Sequence, residues 1–330
     1  MPGAGDSSPA PGFGDRLAGA VAARESQVVL GIDPDPSRLW PDPHEGSGVQ
    51  RERLAVALVG TADAAHAPSP APAAAETAAA VLVHCRALID AAGPACVAVK
   101  PQLACFERLG SAGWLALEAT CAHARAAGLL VLADGKRGDV PVTALAYAQG
   151  LVGSTPSPFG AVAGLAVDAF TANPLLGRDA LVPLVEGARA AGAGVFVLVR
   201  TSNPGAADVM DLPLASGEPL WERLAALARE LGEGAADGLA DVGAVTGATA
   251  PEHLARMREL MPRTPFLLPG VGAQGGDVRA LAPAFAPGRA GGLVTASRSI
   301  ANAYEQHDGS PADTARAEAE RLRTIAWDLA

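Results

Sequence analysis

The sequence predicts a single-domain (β/α)8 barrel. Eight short apolar segments alternate with Ala-, Leu- and Arg-rich stretches of helical periodicity along 330 residues, and this alternation indicates parallel βα units. Eight such units close a (β/α)8, or TIM, barrel, which occupies about 250 residues before insertions. An open, doubly wound sheet is the competing fold. It usually has a glycine-rich turn after its first strand, whereas Asp33-Pro34-Asp35-Pro36 follows the first strand here.

The predicted strands are apolar runs of about four to eight residues. In chain order they are Val28–Ile32, Cys96–Val99, Leu129–Ala133, Val162–Ala169, Gly194–Val199, Asp241–Val245, Pro265–Leu268 and Gly292–Ala296. Helical periodicity is clearest in Trp114–Ala127, Leu220–Gly232 and Pro251–Met261. No boundary to a second domain is predicted.

Irregular segments interrupt this pattern. Residues 1–14 are rich in Pro, Gly and Ala, which predicts a flexible N-terminal tail before a barrel domain at 15–330. A Pro/Ala-rich segment at 60–76 predicts a surface insertion or an irregular loop. Residues 201–219 and 305–313 are predicted to be longer loops, and the first of them is the candidate lid.

Composition excludes several classes of protein. Hydrophobic residues make up 49% of the chain, which is too many for a disordered protein. The net charge of −10 and the 4% of aromatic residues argue against a nucleic-acid partner. No apolar run approaches the ~18–20 residues that span a bilayer, and no signal peptide is visible, so we expect a cytoplasmic protein without a membrane partner. The cysteines lack CxxC spacing and are expected to be ordinary buried thiols; they are Cys85, Cys96, Cys105 and Cys121.

Charged residues stand at the carboxyl ends of three predicted strands. Strand alternation assigns the inward faces to Val29, Gly31 and Asp33, to Cys96, Ala98 and Lys100, and to Leu132, Asp134 and Lys136. Because barrel enzymes carry their chemistry at this rim, we expect Asp33, Lys100, Asp134 and Lys136 to converge on one mouth.

The segment Asp134-Gly135-Lys136-Arg137-Gly138-Asp139 is the sharpest motif. Its alternative interpretation is a surface loop, because these residue types are common in turns. Lysine usage favours a site: only Lys100 and Lys136 are lysines among 25 basic residues, and both fall at predicted strand ends. Arg does not give up its proton near neutral pH, whereas Lys can. A site that must donate a proton therefore cannot accept Arg in place of Lys. Chance survival of two lysines is the competing explanation.

A second constellation predicts binding of a phosphate. The glycine-rich run 269–276 follows the seventh strand, and Arg298 follows the eighth. Such glycines let backbone N–H groups approach an anion, and Arg can donate two hydrogen bonds to phosphate oxygens. The loops after strands seven and eight are the common phosphate site of this fold. The glycines concerned are Gly270, Gly272, Gly275 and Gly276.

Eight segments along the chain carry further motifs. They are LGIDPDP (30–36), VAVKPQLACFERLG (97–110), VLADGKRGD (131–139), VDAFTANPLLG (167–177), VRTSNPG (199–205), GAVTGAT (243–249), LPGVGAQGGD (268–277) and ASRSI (296–300). Taken together and in this order, these segments resemble the orotidine 5′-phosphate decarboxylase family, in its longer bacterial subgroup. The resemblance covers about residues 15–330.

The resemblance implies a cofactor-free, metal-free decarboxylation of orotidine 5′-phosphate (OMP) to UMP in pyrimidine biosynthesis. Lys136 resembles the acid that protonates C6, within a charged tetrad of Lys100, Asp134, Lys136 and Asp139. It also implies a homodimer, in which Asp139 and Thr143 complete the partner's site. The residues that resemble substrate ligands are Asp33 and Lys100 for the ribose, Thr201 and Ser202 for the pyrimidine, and Gln274 and Arg298 for the phosphate.

Small departures from the family pattern occur next to the hexapeptide. Gly135 stands where Ala is usual, and Val140-Pro141 stand where Ile-Gly is usual; Pro141 suits the first turn of a helix. Two other functions remain open. A metal-dependent decarboxylase or aldolase acting on a sugar phosphate shares the hexapeptide, and a non-catalytic barrel would bind UMP without turnover. The segments RTSNPG (200–205) and TANP (171–174) favour the decarboxylation of OMP over these two functions.

Overall fold

The computed structural model describes residues 11–41, 72–232, 238–272 and 274–330. Within these ranges ten strands are present: β1 Val28–Ile32, β2 Ala98–Pro101, β3 Leu130–Arg137, β4 Ser154–Thr155, β5 Val162–Ala163, β6 Ala169–Ala172, β7 Gly194–Arg200, β8 Val242–Thr246, β9 Phe266–Leu268 and β10 Gly292–Ala296. Eight of them close into a parallel barrel in the order β1-β10-β9-β8-β7-β6-β3-β2, while β4 and β5 form a separate antiparallel pair. The predicted (β/α)8 barrel is confirmed.

Helices cover the outside of the barrel. They are α1 Phe13–Arg24, α2 Pro72–Ala92, α3 Leu103–Glu107, α4 Gly110–Ala126, α5 Pro141–Leu151, α6 Arg178–Ala190, α7 Leu220–Gly232, α8 Leu254–Leu260, α9 Arg298–Ala301 and α10 Pro311–Leu329. Short 3-10 turns lie at Gly93–Ala95, Pro204–Ala206, Pro251–His253, Val278–Phe285, Arg289–Gly291 and Ala303–Glu305. Contrary to the prediction that no apolar run approaches the length that spans a bilayer, helix α2 is long and apolar enough to cross one by length and composition alone. However, 67% of its apolar window is buried, and it packs against α4 and α10 as a core helix does.

Strand alternation separates two apolar layers. Val28, Leu30 and Ile32 pack with the surrounding helices, as their alternation with Val29 predicts. The inward-facing residues form a second cluster that fills the barrel, and its strand members include Val29, Ala98, Leu132, Ala169, Phe196, Leu198, Val245, Leu267 and Leu293. The barrel is therefore a packed core whose upper rim is left for the site.

Helix α1 closes the lower end of the barrel. The rings of Phe13 and Phe196 meet edge to face with centroids 5.9 Å apart. Gly194 leaves room for the Phe13 ring, because a Cβ at position 194 would lie 2.3 Å from that ring. Arg16 adds an ion pair with Asp168, which fixes the helix to the strand entering the barrel.

Two predicted irregular segments are shorter than the sequence suggested. Helix α1 begins at Phe13, within the predicted tail at 1–14, because Phe13 and Gly14 are buried under the barrel. The remainder of that tail, residues 1–10, lies outside the described residues. Of the predicted insertion at 60–76, residues 60–71 also lie outside them, and residues 72–76 form the first turn of α2.

The fourth predicted strand, Val162–Ala169, is wrong. Val162–Ala163 is extended in the small hairpin, and the barrel strand, Ala169–Ala172, begins only at the last residue of the predicted segment. The residues between them bond to the end of α5: the N–H groups of Gly164, Leu165 and Val167 donate to backbone carbonyls at 153, 150 and 151. These bonds satisfy the last carbonyls of a helix, and the sheet therefore begins later.

The cysteines are all free, and three of them, Cys85, Cys96 and Cys121, are buried, while Cys105 is partly exposed. Burial raises the pKa of the Cys96 and Cys121 thiols to about 12, so they stay protonated. Cys96 does not share the inward face of Ala98 and Lys100 as predicted. Its N–H donates to the Gly93 carbonyl in a 3-10 turn, and its side chain packs in the outer layer.

Candidate active site

A cavity of about 340 Å³ opens at the carboxyl ends of the barrel strands. The predicted residues that line it are Asp33, Lys100, Asp134, Lys136, Thr201, Ser202, Gly270, Gln274 and Arg298. The predicted convergence of Asp33, Lys100, Asp134 and Lys136 is therefore present in the structure. Three cations and two carboxylates line the cavity, so it is locally positive within a chain of net charge −10.

The Asp134 carboxylate is the most highly connected group in the cavity. Its Oδ2 accepts hydrogen bonds from Lys100 Nζ at 2.6 Å and from Gln102 Nε2 at 3.2 Å. Its Oδ1 accepts from Lys136 Nζ at 2.8 Å and from Thr171 Oγ1 at 2.9 Å. One buried carboxylate thus holds both lysines of the chain within hydrogen-bond distance.

Burial and charge act against each other at this ion pair. Burial opposes ionisation of Asp134, but Lys100 and Lys136 outweigh it and hold the pKa of that carboxyl well below its ordinary range. Burial likewise disfavours the Lys100 ammonium, but the carboxylates of Asp134 and Asp33 outweigh it and raise the pKa of Lys100. Both groups are therefore charged near neutral pH.

Lys136 reaches the cavity through an unusual backbone conformation. Its φ is +48°, a left-handed value that costs a non-glycine residue about 1–2 kcal/mol. The pairing of β3 with β6 is irregular between Ala133 and Arg137, so Lys136 lies in a bulge. Simple strand alternation predicted that Asp134 and Lys136 lie side by side. They do meet, but through this bulge and its left-handed residue.

Asp33 and Arg298 lie on the β1 and β10 side of the cavity. Ser297 Oγ donates to Asp33 Oδ2 at 2.7 Å, which fixes the exposed Asp33 carboxylate at the rim. Arg298 is exposed at the start of α9, where its guanidinium is available to an anion. Gly31 allows Ser297 to approach, because a Cβ at Gly31 would lie 2.5 Å from the Ser297 Cβ.

The glycine-rich loop after β9 is shaped by its own hydrogen bonds. The N–H groups of Gly272, Gly275 and Gly276 donate to the carbonyls of Gly276, Gly272 and Gly270. In this structure these three N–H groups donate within the loop, and binding of an anion by the loop stays a prediction. Positive φ values at Gly270, Gly272 and Gly275 permit this tight path. Of the four glycines only Gly270 lines the cavity, and Gln274 supplies a side chain from the same loop.

The loop after β7 forms another wall. Thr201, Ser202 and Asn203 line the cavity, and Thr201 Oγ1 donates to Asn203 Oδ1 at 2.7 Å. Arg200, the last residue of β7, forms two hydrogen bonds of 2.8 Å each with the Asp211 carboxylate. This bidentate pair ties the middle of the 201–219 loop to the rim of the barrel.

The remaining wall is apolar. Val245, Leu267, Pro269 and Val271 line the cavity on the side of β8 and β9. Thr295 lies among the lining residues of β10; it is 5% exposed, and its Oγ1 has no hydrogen-bond partner within the described part of the chain. The cavity therefore combines apolar and charged lining residues, a combination suited to a ring that carries charged substituents.

Besides Gly272, Gly275 and Gly276, two predicted site residues, Asp139 and Thr143, lie outside this cavity. Asp139 is half-buried beyond the bulge, and its Oδ1 accepts a hydrogen bond from the N–H of Val140. Thr143 is exposed on α5. Neither lines the cavity of its own chain, so the charged set that the structure brings together is Lys100, Asp134 and Lys136.

Sequence reasoning missed Gln102, Thr171, Asn203, Thr295 and Ser297 as lining residues. Gln102 stands two residues after Lys100, so strand alternation could have found it. Thr171 was hidden by the misplaced fourth strand. Within the described ranges, no group of three or more His, Cys, Asp or Glu side chains is arranged to hold a metal ion.

Comparisons with known proteins identify the family. The model of the orotidine 5′-phosphate decarboxylase / HUMPS family matches residues 76–309. The orotidine 5′-phosphate decarboxylase of Deinococcus radiodurans is 47% identical over 238 residues, covering 71% of this chain and 82% of that protein. The enzyme of the same name from Rhodopirellula baltica is 38% identical over 305 residues, covering 91% of each.

A solved structure agrees with this assignment. The OMP decarboxylase of Leishmania donovani superimposes with a TM-score of 0.65 and 28% identity, over 96% of this chain and 99% of that one. The predicted alternation of strands and helices, the observed barrel and the sequence matches thus all indicate the same family. The chain belongs to the orotidine 5′-phosphate decarboxylase family, a family of lyases.

Proposed function

We propose that this chain converts OMP to UMP and CO2. The observation that carries the proposal is the array Lys100–Asp134–Lys136, in which one buried carboxylate holds two ammonium groups at the rim of the cavity. Membership of the family supports this substrate. The reaction would supply UMP to pyrimidine nucleotide synthesis, and the free thiols of the described chain suit a reducing cytoplasm.

In the proposed reaction the bond between C6 and the carboxylate breaks, and CO2 leaves. The electron pair stays on C6, in the plane of the pyrimidine ring, where the ring π system cannot accept it. The Lys136 ammonium stabilises this developing charge and then transfers one proton from Nζ to C6, which gives UMP. Asp134, itself bound by Lys100, holds the Lys136 ammonium in place before the substrate arrives.

Different walls of the cavity bind different parts of the substrate. We assign Gln274 and Arg298 to the phosphate, Asp33 and Lys100 to the ribose hydroxyls, and Thr201 and Ser202 to the polar edge of the pyrimidine. Buried Val245 and Leu267 would contact the face of the ring. The phosphate lies far from the reacting carbon, so its binding energy orients the ring without taking part in the chemistry.

The assignment extends to a homodimer in which Asp139 and Thr143 complete the site of the partner subunit. Exposed apolar side chains surround both residues: Val142 is 84% exposed, and Val140 and Leu145 are nearby. Leu175 and Leu176 extend this patch, because the N–H of Asn173 donates to the Arg137 carbonyl and brings their loop alongside. An apolar surface next to functional side chains suits a subunit interface.

The proposal is tested with purified chain and OMP, by following the loss of OMP absorbance and the release of CO2 with and without EDTA. We expect equal turnover in both conditions and none with heat-denatured chain. Turnover that EDTA abolishes would favour the metal-dependent relatives. UMP binding without any CO2 release would instead identify a nucleotide-binding barrel without catalysis.

A further inference from the structure

Thr171 links the backbone N–H of Lys136 to the carboxylate that binds the Lys136 ammonium. It lies on β6, beside the bulge of β3, and is only 2% exposed. Its Oγ1 accepts a hydrogen bond from the Lys136 backbone N–H at 2.9 Å and donates one to Asp134 Oδ1, also at 2.9 Å. Because Lys136 Nζ donates to the same Asp134 oxygen at 2.8 Å, the three residues form a closed hydrogen-bonded ring.

This ring holds a conformation that the backbone would not adopt unaided. Lys136 has φ +48°, and the irregular pairing between Ala133 and Arg137 places it in the bulge. The N–H of Lys136 donates to the Thr171 hydroxyl there. Without the hydroxyl, Lys136 is free to relax toward ordinary strand geometry, and its side chain then leaves the direction of the cavity.

We infer that Thr171 is a positioning residue for the decarboxylation, which aims the Lys136 ammonium by fixing both its backbone and its carboxylate partner. The inference rests on the proposed function. Thr171 acts through Lys136 and Asp134, so its loss affects the step that needs an aligned proton donor. Binding of the phosphate and the ribose depends on other walls of the cavity and stays intact.

Three substitutions test this role. Thr171→Val keeps the shape and removes the hydroxyl, and we expect kcat to fall by about 10- to 100-fold, the range that small misplacements of a reacting group produce. KM for OMP and the Kd for UMP should change by less than about threefold. Thr171→Ser keeps the hydroxyl and should retain kcat within about threefold. Thr171→Ala also removes the hydroxyl, and it replaces Thr171→Val in this test if the valine variant does not fold.

A matched control comes from Thr246, at the end of β8. It is fully buried, does not line the cavity, and within the described residues its Oγ1 has no hydrogen-bond partner. Thr246→Val should leave kcat unchanged.

Equal kcat in wild type, Thr171→Val and Thr171→Ala would overturn the inference. So would a parallel loss of kcat and UMP affinity in all three Thr171 variants, because that pattern means a purely structural role. Wild-type chain that binds UMP but releases no CO2 would instead refute the proposed function, and this assignment with it.

Discussion

Lys100 and Asp134 form a buried ion pair at the rim of the barrel, with Nζ and Oδ2 2.6 Å apart and the residues 6% and 5% exposed. Lys136 occupies the second oxygen of the same carboxylate. Asp134 therefore compensates two cations, one of which, Lys100, is almost fully buried. The stability of the folded chain and the charge state of the site both depend on this carboxylate.

Asp134→Asn should reduce the free energy of unfolding by about 3–5 kcal/mol, the range found when a buried ion pair loses one partner. The variant leaves the Lys100 ammonium buried without its carboxylate. Urea unfolding at neutral pH measures the change. Asp208→Asn is the matched control, since it removes an exposed carboxylate and should alter stability by no more than about 0.5 kcal/mol. Equal unfolding midpoints for Asp134→Asn and wild type would contradict the expectation.

The same pair gives stability a defined dependence on pH. The pKa of Asp134 in the folded chain lies below its ordinary value of 3.8, so its contribution is present above that value and is lost as the pH falls further. The pKa of Lys100 lies above 10.5, so its contribution is present below that value and is lost as the pH rises through the folded pKa. We expect Asp134→Asn to show a shallower loss of stability than wild type in acid. Urea midpoints measured between about pH 5 and pH 2 test this, and parallel curves would argue against it.

The sequence alone predicted the fold correctly where a local pattern of residues determines the structure. The runs at Val28–Ile32, Leu220–Gly232 and Gly292–Ala296 have the bounds that periodicity predicts. The charged residues at strand ends meet as predicted, because parallel strands end at one rim. Strand 162–169 failed because its backbone bonds to the end of a helix instead of the sheet.

The geometry at Lys136 could not be predicted in the same way. Its left-handed φ is held by Thr171, a residue 35 positions away on a neighbouring strand. No local pattern reports such a contact, since it exists only after the barrel closes. For a related reason the sequence did not predict that Gly272, Gly275 and Gly276 form hydrogen bonds within their own loop: glycines that bind an anion and glycines that bond to one another have the same sequence signature.

Lys136→Arg tests the proton donor. Arginine keeps the positive charge but does not release its proton near neutral pH. We expect kcat to fall by at least about 100-fold, as for loss of a general acid, while the Kd for UMP changes by less than about threefold. Arg137→Lys is the control, because it makes the reverse exchange one residue away, at a side chain paired with Glu107 outside the cavity. Turnover of Lys136→Arg close to that of wild type would exclude Lys136 as the acid.

Mixed dimers test whether Asp139 serves the partner subunit. Asp139→Ala and Lys100→Ala should each be inactive alone. In an equal, exchanging mixture about half of the dimers are mixed, and each has one site with both residues intact, so about a quarter of wild-type activity should return. A mixture of Lys100→Ala with Lys136→Met is the control: both residues serve their own chain, so no activity should return. Failure of the first mixture, with subunit exchange verified, would place Asp139 outside the site.

The pair of Arg200 and Asp211 should control the loop that carries Thr201, Ser202 and Asn203. Asp211→Asn removes the charge from a bidentate pair with two 2.8 Å hydrogen bonds, and such charge-assisted bonds contribute about 1.5–3 kcal/mol.

We expect KM for OMP and the Kd for UMP to rise together by about tenfold, with kcat within about threefold, because the loop must be ordered again at each binding event. Asp208→Asn, in the same loop, should leave both constants unchanged. If Asp211→Asn instead lowered kcat and left KM and the Kd for UMP as in wild type, the pair would act on the chemical step and the loop assignment would be wrong.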